Sequence, residues 1–178
     1  MNRPALLLFA ALKLTVCPIF AVEDVDQEVK KSTLVEVGQM APDFTTTTTD
    51  GRTITLSTLK GKAVVLYFFS ASVGASITEL QYIEKEIFQK LLNRNDFQLI
   101  AIGRGHSREE LVRIGGENKI TFPLVPDPNQ ELYQRYFSKF VPRTVVVRKD
   151  GGIAYLASGS RESMGIAGLQ AALQVSLR

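Results

Sequence analysis

Three hydroxyls stand in the stretch Ser70-Ala71-Ser72-Val73-Gly74-Ala75-Ser76, which joins a strongly apolar run to a stretch with helical periodicity. A turn of small residues between a strand and a helix gathers free backbone N–H groups and the positive helix end, so this junction is where chemistry is expected. A serine there becomes a nucleophile only beside a positioned base, and His106 is the single histidine in the chain. The residue types therefore permit a Ser76–His106 hydrolase, but no G-x-S-x-G elbow is present. The plainer role for Ser76 is to cap the following helix. A lone histidine without clustered cysteines or carboxylates makes a poor metal site, and Gly103-Arg104-Gly105 is too short for a phosphate loop. No metal or cofactor is expected. Glu79 and Glu84 read as surface or half-buried helix charges.

The elements that must hold this junction follow from hydrophobic patterning. Val64-Val65-Leu66-Tyr67-Phe68-Phe69 is a run of large apolar residues, β-branched and aromatic types prominent, as in a strand buried on both faces. After the turn, Ile77, Leu80, Glu84, Ile87 and Leu91 recur at helical spacing, broken only by Glu84, and the helix is expected to end before Asn93-Arg94-Asn95-Asp96. Residues 97–102 form the next strand, giving a right-handed strand–helix–strand crossover. Ser107 and Glu110 have capping-box spacing for a helix reaching Gly115-Gly116. Ile120-Thr121-Phe122-Pro123-Leu124-Val125 then leads to a turn at Asp127-Pro128 and a short helix over 130–137. Upstream, Thr45 to Thr49 and Thr53-Ile54-Thr55-Leu56 flank Asp50-Gly51, a hairpin signal; Asp150-Gly151 is a second one, leading to a strand over 152–156. Met164, Ala167, Leu169, Ala172, Leu173 and Val175 suit a final amphipathic helix, weakened at its start by Gly165 and Gly168.

The first 21 residues have their own character. Arg3 precedes two apolar runs separated by Lys13, and Ile19-Phe20-Ala21 is followed by acidic Glu23 and Asp24, which resembles a secretory signal peptide cleaved after Ala21. An uncleaved anchor is the alternative. A lipidation signal at Cys17 fits less well, since Val16 is bulkier than such signals want. Residues 22–36 are polar with scattered valines and read as a linker or weakly ordered arm, leaving one domain over 37–178. Without Arg3 and Lys13 the chain carries 19 basic against 18 acidic residues, which gives no electrostatic case for nucleic acid or an anionic membrane. Contact with a membrane would come only through the N-terminal segment. Cys17 is the one cysteine, so a chain cleaved after Ala21 holds no thiol with which to form or exchange a disulfide.

Taken together, these segments resemble a known family. Val37-Gly38-Gln39-Met40-Ala41-Pro42-Asp43-Phe44, followed by Asp50-Gly51 and Gly61-Lys62, is similar to the N-terminal signature of the redoxin branch (AhpC/TSA-like) of the thioredoxin superfamily. FFSASVGASITEL resembles the active turn of its exported thiol–disulfide oxidoreductases and their peroxiredoxin relatives. Phe122-Pro123 with Asp127-Pro128 resembles the family's insertion, and Val141-Pro142-Arg143-Thr144 its Val/Ile-Pro-x-Thr segment. The resemblance covers residues 37–177. It implies a thioredoxin-like three-layer α/β/α sandwich with a mixed central sheet and an N-terminal β-hairpin, and a cis peptide before Pro142, beside the active turn. It also implies that Val73 and Ser76 occupy the two cysteine positions and Ser72 the tryptophan position. No catalytic residue is then expected, because a valine and a protonated serine hydroxyl cannot replace a thiolate. The implied function is an exported protein- or peptide-binding module without redox activity, its groove formed around Ser72, Val141 and Pro142. The alternative is the thiol–disulfide oxidoreductase or peroxiredoxin-type enzyme that the family implies.

Overall fold

Strand β3 (Ala63–Phe69) is buried along its whole length, every residue at 1% exposure or less, and the fold is arranged around it. The structure, a computed structural model, describes residues 21–159 and 164–178; the expected leader cleavage, Lys13 and Cys17 lie outside the described residues apart from Ala21. A five-stranded sheet runs in the order β5-β4-β3-β6-β7. Here β4 is Phe97–Arg104, β5 is Leu124–Asp127, β6 is Arg143–Val147 and β7 is Ile153–Ser158. β3, β4 and β5 are parallel, while β6 lies antiparallel to β3 and β7 antiparallel to β6. A separate hairpin pairs β1 (Thr45–Thr47) with β2 (Thr53–Thr55) around Asp50 and Gly51. The mixed sheet, the N-terminal hairpin and the thioredoxin-like α/β architecture are those expected.

Alternation along β3 divides the interior in two. Ala63, Val65, Tyr67 and Phe69 enter one core with residues of helix α2 (Gly74–Ile83), helix α4 (Arg108–Glu117) and helix α5 (Met164–Ser176), among them Leu80, Ile83, Leu111, Leu169 and Leu173. Val64, Leu66 and Phe68 enter the other, covered by Val35, Phe44, Leu56, Tyr133, Tyr136 and Phe137 from short irregular segments. Gly103 on β4 shows how closely the first face packs, since a Cβ there would meet Leu111 side-chain atoms at 2.6 and 2.9 Å.

Several elements depart from the sequence expectation. The helix after the turn is interrupted: a π turn over Glu84–Phe88 separates α2 from a short α3 (Gln89–Leu91). At the head of this π turn Glu84 turns inward, and its carboxylate accepts from the Thr121 N–H (2.8 Å) and the Thr121 hydroxyl (2.6 Å). That bond takes the Thr121 N–H, Pro123 has none to give, and β5 begins at Leu124. The helix expected over 130–137 is a single 3₁₀ turn, Tyr133–Arg135. Buried Asp127 accepts the N–H groups of Leu132 (3.1 Å) and Tyr133 (2.9 Å), which fixes the chain locally.

The segment read as a linker is helix α1 (Ala21–Lys31) with a docked continuation. The Leu34 N–H donates to the Tyr136 carbonyl, the Ser138 N–H donates to the Ser32 carbonyl, and Val35 is buried. A sequence window registers polarity, whereas the docking depends on partners about a hundred residues away. One of them is Arg143, only 2% exposed, whose guanidinium lies over the Phe137 ring (4.2 Å) and donates from Nη2 to the Thr33 hydroxyl. Its Nε and Nη1 have no hydrogen-bond partner, and desolvation lowers its pKa to about 10. Thr33→Val removes that acceptor and is expected to cost about 2 kcal/mol, read as a lower urea midpoint. Adding Arg143→Met should recover part of the loss by removing an uncompensated buried charge. An unchanged midpoint for Thr33→Val would show that the arm does not brace this arginine.

Candidate functional site

At its C-terminal end β3 delivers the chain into the turn of residues 70–73, and the neighbouring strands decide what surrounds it. The β3–β6 pairing ends at Phe68↔Arg143. Continuing that register by one and two residues brings Pro142 level with Phe69 and Val141 level with Ser70. The Val141–Pro142 bond is cis, as the resemblance implied. The Pro142 carbonyl accepts from Gly159 N–H (3.0 Å), whereas the Val141 backbone makes no hydrogen bond among the described residues. On the other side, the parallel β3–β4 register reaches Phe69↔Gly103, so the loop after Arg104 rises beside the turn.

That loop carries His106, and the structure joins it to the turn but not to Ser76. The Ala71 N–H donates to His106 Nε2 at 2.9 Å, and the Ser70 hydroxyl lies 3.3 Å from the same nitrogen. An N–H donates only to an unprotonated nitrogen, so the ring proton of the neutral imidazole sits on Nδ1, which is 3.5 Å from Glu110 Oε2. The ring stacks on Phe69 (centroids 6.2 Å, 26°) and its side chain is 14% exposed. Ser72 is exposed, its hydroxyl 2.9 Å from that of Ser70. The expected capping box on α4 is present, with Glu110 N–H donating to Ser107 Oγ (3.2 Å) and Ser107 N–H donating to Glu110 Oε2 (2.8 Å).

The two expected cysteine positions are occupied differently. Val73 is the N-cap residue of α2, in extended conformation and without a side-chain cap. Ser76 is fully buried inside the first turn of the helix, and its hydroxyl has no hydrogen-bond partner, which corrects the expectation that it caps the helix. Only its carbonyl is engaged, accepting from the Tyr67 hydroxyl at 2.9 Å. A Ser76–His106 pair is not formed. A cleft of about 150 Å³ lined by Met40, Leu56, Lys60, Lys62, Val64 and Val147 lies instead at the opposite end of β3.

Glu79 is the residue that sequence reasoning misplaced. It is buried, not half-buried or on the surface, and Oε2 has no hydrogen-bond partner. Desolvation pushes its carboxyl up to about 7, and its charge adds to the forces raising the pKa of Tyr67 and Tyr155. Between about pH 4.5 and 7 the folded chain therefore keeps a proton that the unfolded chain has released, so this group erodes stability as pH rises through that window. Glu79→Gln should abolish the loss, gaining about 2–3 kcal/mol over wild type in denaturant unfolding at pH 8 compared with pH 4.5. A difference independent of pH would mean that the carboxylate is solvated.

Comparisons with known proteins agree with this geometry. The chain matches the AhpC/TSA family over residues 37–156. It is 27% identical over 157 residues to the thiol-disulfide oxidoreductase ResA of Geobacillus thermodenitrificans, covering 87% of this chain and 83% of that protein. Among solved structures, a putative protein disulfide isomerase of Bacteroides thetaiotaomicron superposes with a TM-score of 0.78 at 32% identity, over 83% of this chain and 94% of that one. A secreted Mycobacterium tuberculosis disulfide oxidoreductase shares the fold at 19% identity, TM-score 0.62, over 74% of this chain and 95% of that one. With the family match spanning the turn, the cis proline and all seven strands but the end of the last, and with a single cysteine in the whole sequence, the chain belongs to the AhpC/TSA redoxin family of the thioredoxin-like superfamily without an active-site cysteine pair.

Proposed function

We propose that this protein is an exported protein- or peptide-binding module that has kept the redoxin scaffold and carries out no thiol chemistry. The observation that carries the reading is a turn in which Val73 heads the helix and Ser76 is buried within its first turn, the two residues that the resemblance sets at the cysteine positions, in a chain whose one cysteine is Cys17. Thiol–disulfide exchange requires a thiolate that attacks and a second thiol that resolves the mixed disulfide, and neither side chain can act as one. Recognition is retained by a different part of the site. The backbone N–H and C=O of Val141 make no hydrogen bond among the described residues and are open to pair with an extended segment, as in strand addition, with Ser72 and Pro142 completing the groove. Export is supported by the leader-like first 21 residues and by a relative described as secreted. Among the described residues no helix is long and apolar enough to cross a membrane. The near balance of charge without the leader favours a protein or peptide partner over nucleic acid.

The relatives' activity supports a second reading, a thiol-disulfide oxidoreductase or peroxide-reducing enzyme, and one set of assays separates the two. The purified chain is expected to show no insulin reduction and no peroxide consumption above buffer; measurable turnover in either would end the binding-only reading. Val73→Cys combined with Ser76→Cys is expected to bring back dithiol-dependent insulin reduction, because the helix N-terminus that favours a thiolate is still in place. A double variant that folds and stays inert would show that the groove has diverged as well.

A further inference from the structure

We propose that Ser70, His106 and Glu110 form a hydrolytic constellation that cleaves small esters, with Ser70 as nucleophile, His106 as base and Glu110 as the carboxylate behind it. The three side chains meet in the order such chemistry needs. The Ser70 hydroxyl is 3.3 Å from His106 Nε2, and the far ring nitrogen, Nδ1, faces Glu110 Oε2 at 3.5 Å without yet forming a hydrogen bond. Contacts of this length are usual before substrate binds and tighten afterwards. The base is held in place, with its ring stacked on Phe69 and its Nε2 fixed by the Ala71 N–H. The carboxylate is held independently of the histidine, because the Ser107 N–H fixes the same Oε2 that faces Nδ1. That bond, with His106 contributing less, keeps the Glu110 carboxyl below the usual range and hence ionised. Ser72 extends the chain of hydroxyls, with its Oγ 2.9 Å from Ser70 Oγ.

The contact that looks like an obstacle supplies the missing part. In the resting state the Ala71 N–H occupies Nε2. When Ser70 Oγ attacks an ester carbonyl carbon, its proton passes to Nε2, which can then no longer accept from Ala71. The freed N–H belongs to the residue after the nucleophile, the position from which a backbone amide stabilises a tetrahedral oxyanion in other serine hydrolases. Four residues beyond Ser70 helix α2 begins, and the N–H groups of Gly74 and Ala75 have no acceptor among the described residues. The intermediate collapses by breaking the bond to the alcohol oxygen, which takes the proton from Nε2 and leaves the acyl group on Ser70. Water then attacks that ester, gives a proton to Nε2, and the carboxylic acid departs as Ser70 recovers its proton. No oxidant, metal or thiol takes part. Ser70 is half-buried and Ser72 exposed, so the acyl group arrives from solvent, which favours short acyl chains.

The test is hydrolysis of p-nitrophenyl acetate by the full chain, with a fluorophosphonate probe followed by peptide mass mapping. Release of nitrophenol above buffer is expected, with the probe on Ser70. Ser70→Ala should lower the rate at least ~100-fold. His106→Gln should do likewise, while its amide oxygen still accepts from the Ala71 N–H and holds the turn. Glu110→Gln, which can still cap α4, should cost roughly tenfold or more. If His106→Gln does not fold, Ser70→Ala decides alone, since it removes one hydroxyl. No hydrolysis by the wild-type chain, a rate unaffected by Ser70→Ala, or labelling elsewhere than Ser70 would each overturn the proposal.

Discussion

A strand without an exposed face has one tolerable register, and every feature of the site depends on that constraint. β3 alternates its side chains into two cores, so a slip by one residue would exchange Val64, Leu66 and Phe68 for Val65, Tyr67 and Phe69 against neighbours of different shape. Its parallel partner then sets where the loop with His106 rises, and its antiparallel partner sets where the cis proline lies. The turn is the point where three fixed elements leave the sheet together. This is why the site's framework persists when the sulfur atoms are gone: the cysteines of a redoxin contribute reactivity, while strand burial places the turn.

The site was partly legible in the sequence, and the reasons differ by residue. Val73, Ser76 and Pro142 could be located because they stand in linear patterns whose meaning is local, a strand running into a turn and a proline heading a strand. The contact between His106 and Ala71 could not, because it spans 35 positions and is created by the register between β3 and β4. Glu79 and Ser76 were obscured for another reason. A hydrophobic stripe counts apolar residues only, and the reading centred it on Ile77, Leu80 and Ile87. The buried face of α2 is instead Ser76, Glu79, Leu80 and Ile83, with Glu84 continuing it. Three polar residues on a buried face have no signature in periodicity. Glu84 is satisfied by Thr121, whereas Ser76 and Glu79 are not fully satisfied, and that difference appears only once partners are known.

The second core explains the remaining misreadings. It is closed by aromatic residues from short segments, with Phe68 touching Tyr133, Tyr136 and Phe137 at centroid distances of 5.3–6.0 Å. Such a lid needs shape more than periodicity, so neither the single 3₁₀ turn nor the docked arm leaves a regular pattern in the sequence. The hydroxyl groups of this cluster serve the loops. Tyr133 donates to the Phe140 carbonyl and Tyr136 to the Pro42 carbonyl, both at 2.6 Å, so the redoxin signature Ala41-Pro42-Asp43-Phe44 is joined to the segment that leads into the cis proline.

Where the chain tolerates unfavourable groups is informative in itself. Valine at an N-cap forfeits about 1 kcal/mol relative to serine or aspartate. The Ser76 hydroxyl is buried without a partner, and the Glu79 carboxylate is desolvated beneath the same turn. A chain shaped only for stability would place aspartate, alanine and leucine at these three positions, each compatible with the helix. Unsatisfied groups in a native interior are concentrated where function constrains the residues; here Ser76 and Glu79 lie in the helix that follows the turn, His106 stands beside the turn and Arg143 follows the cis proline, while Ser176 lies apart in α5. The concentration of cost at the turn argues that it still has a task.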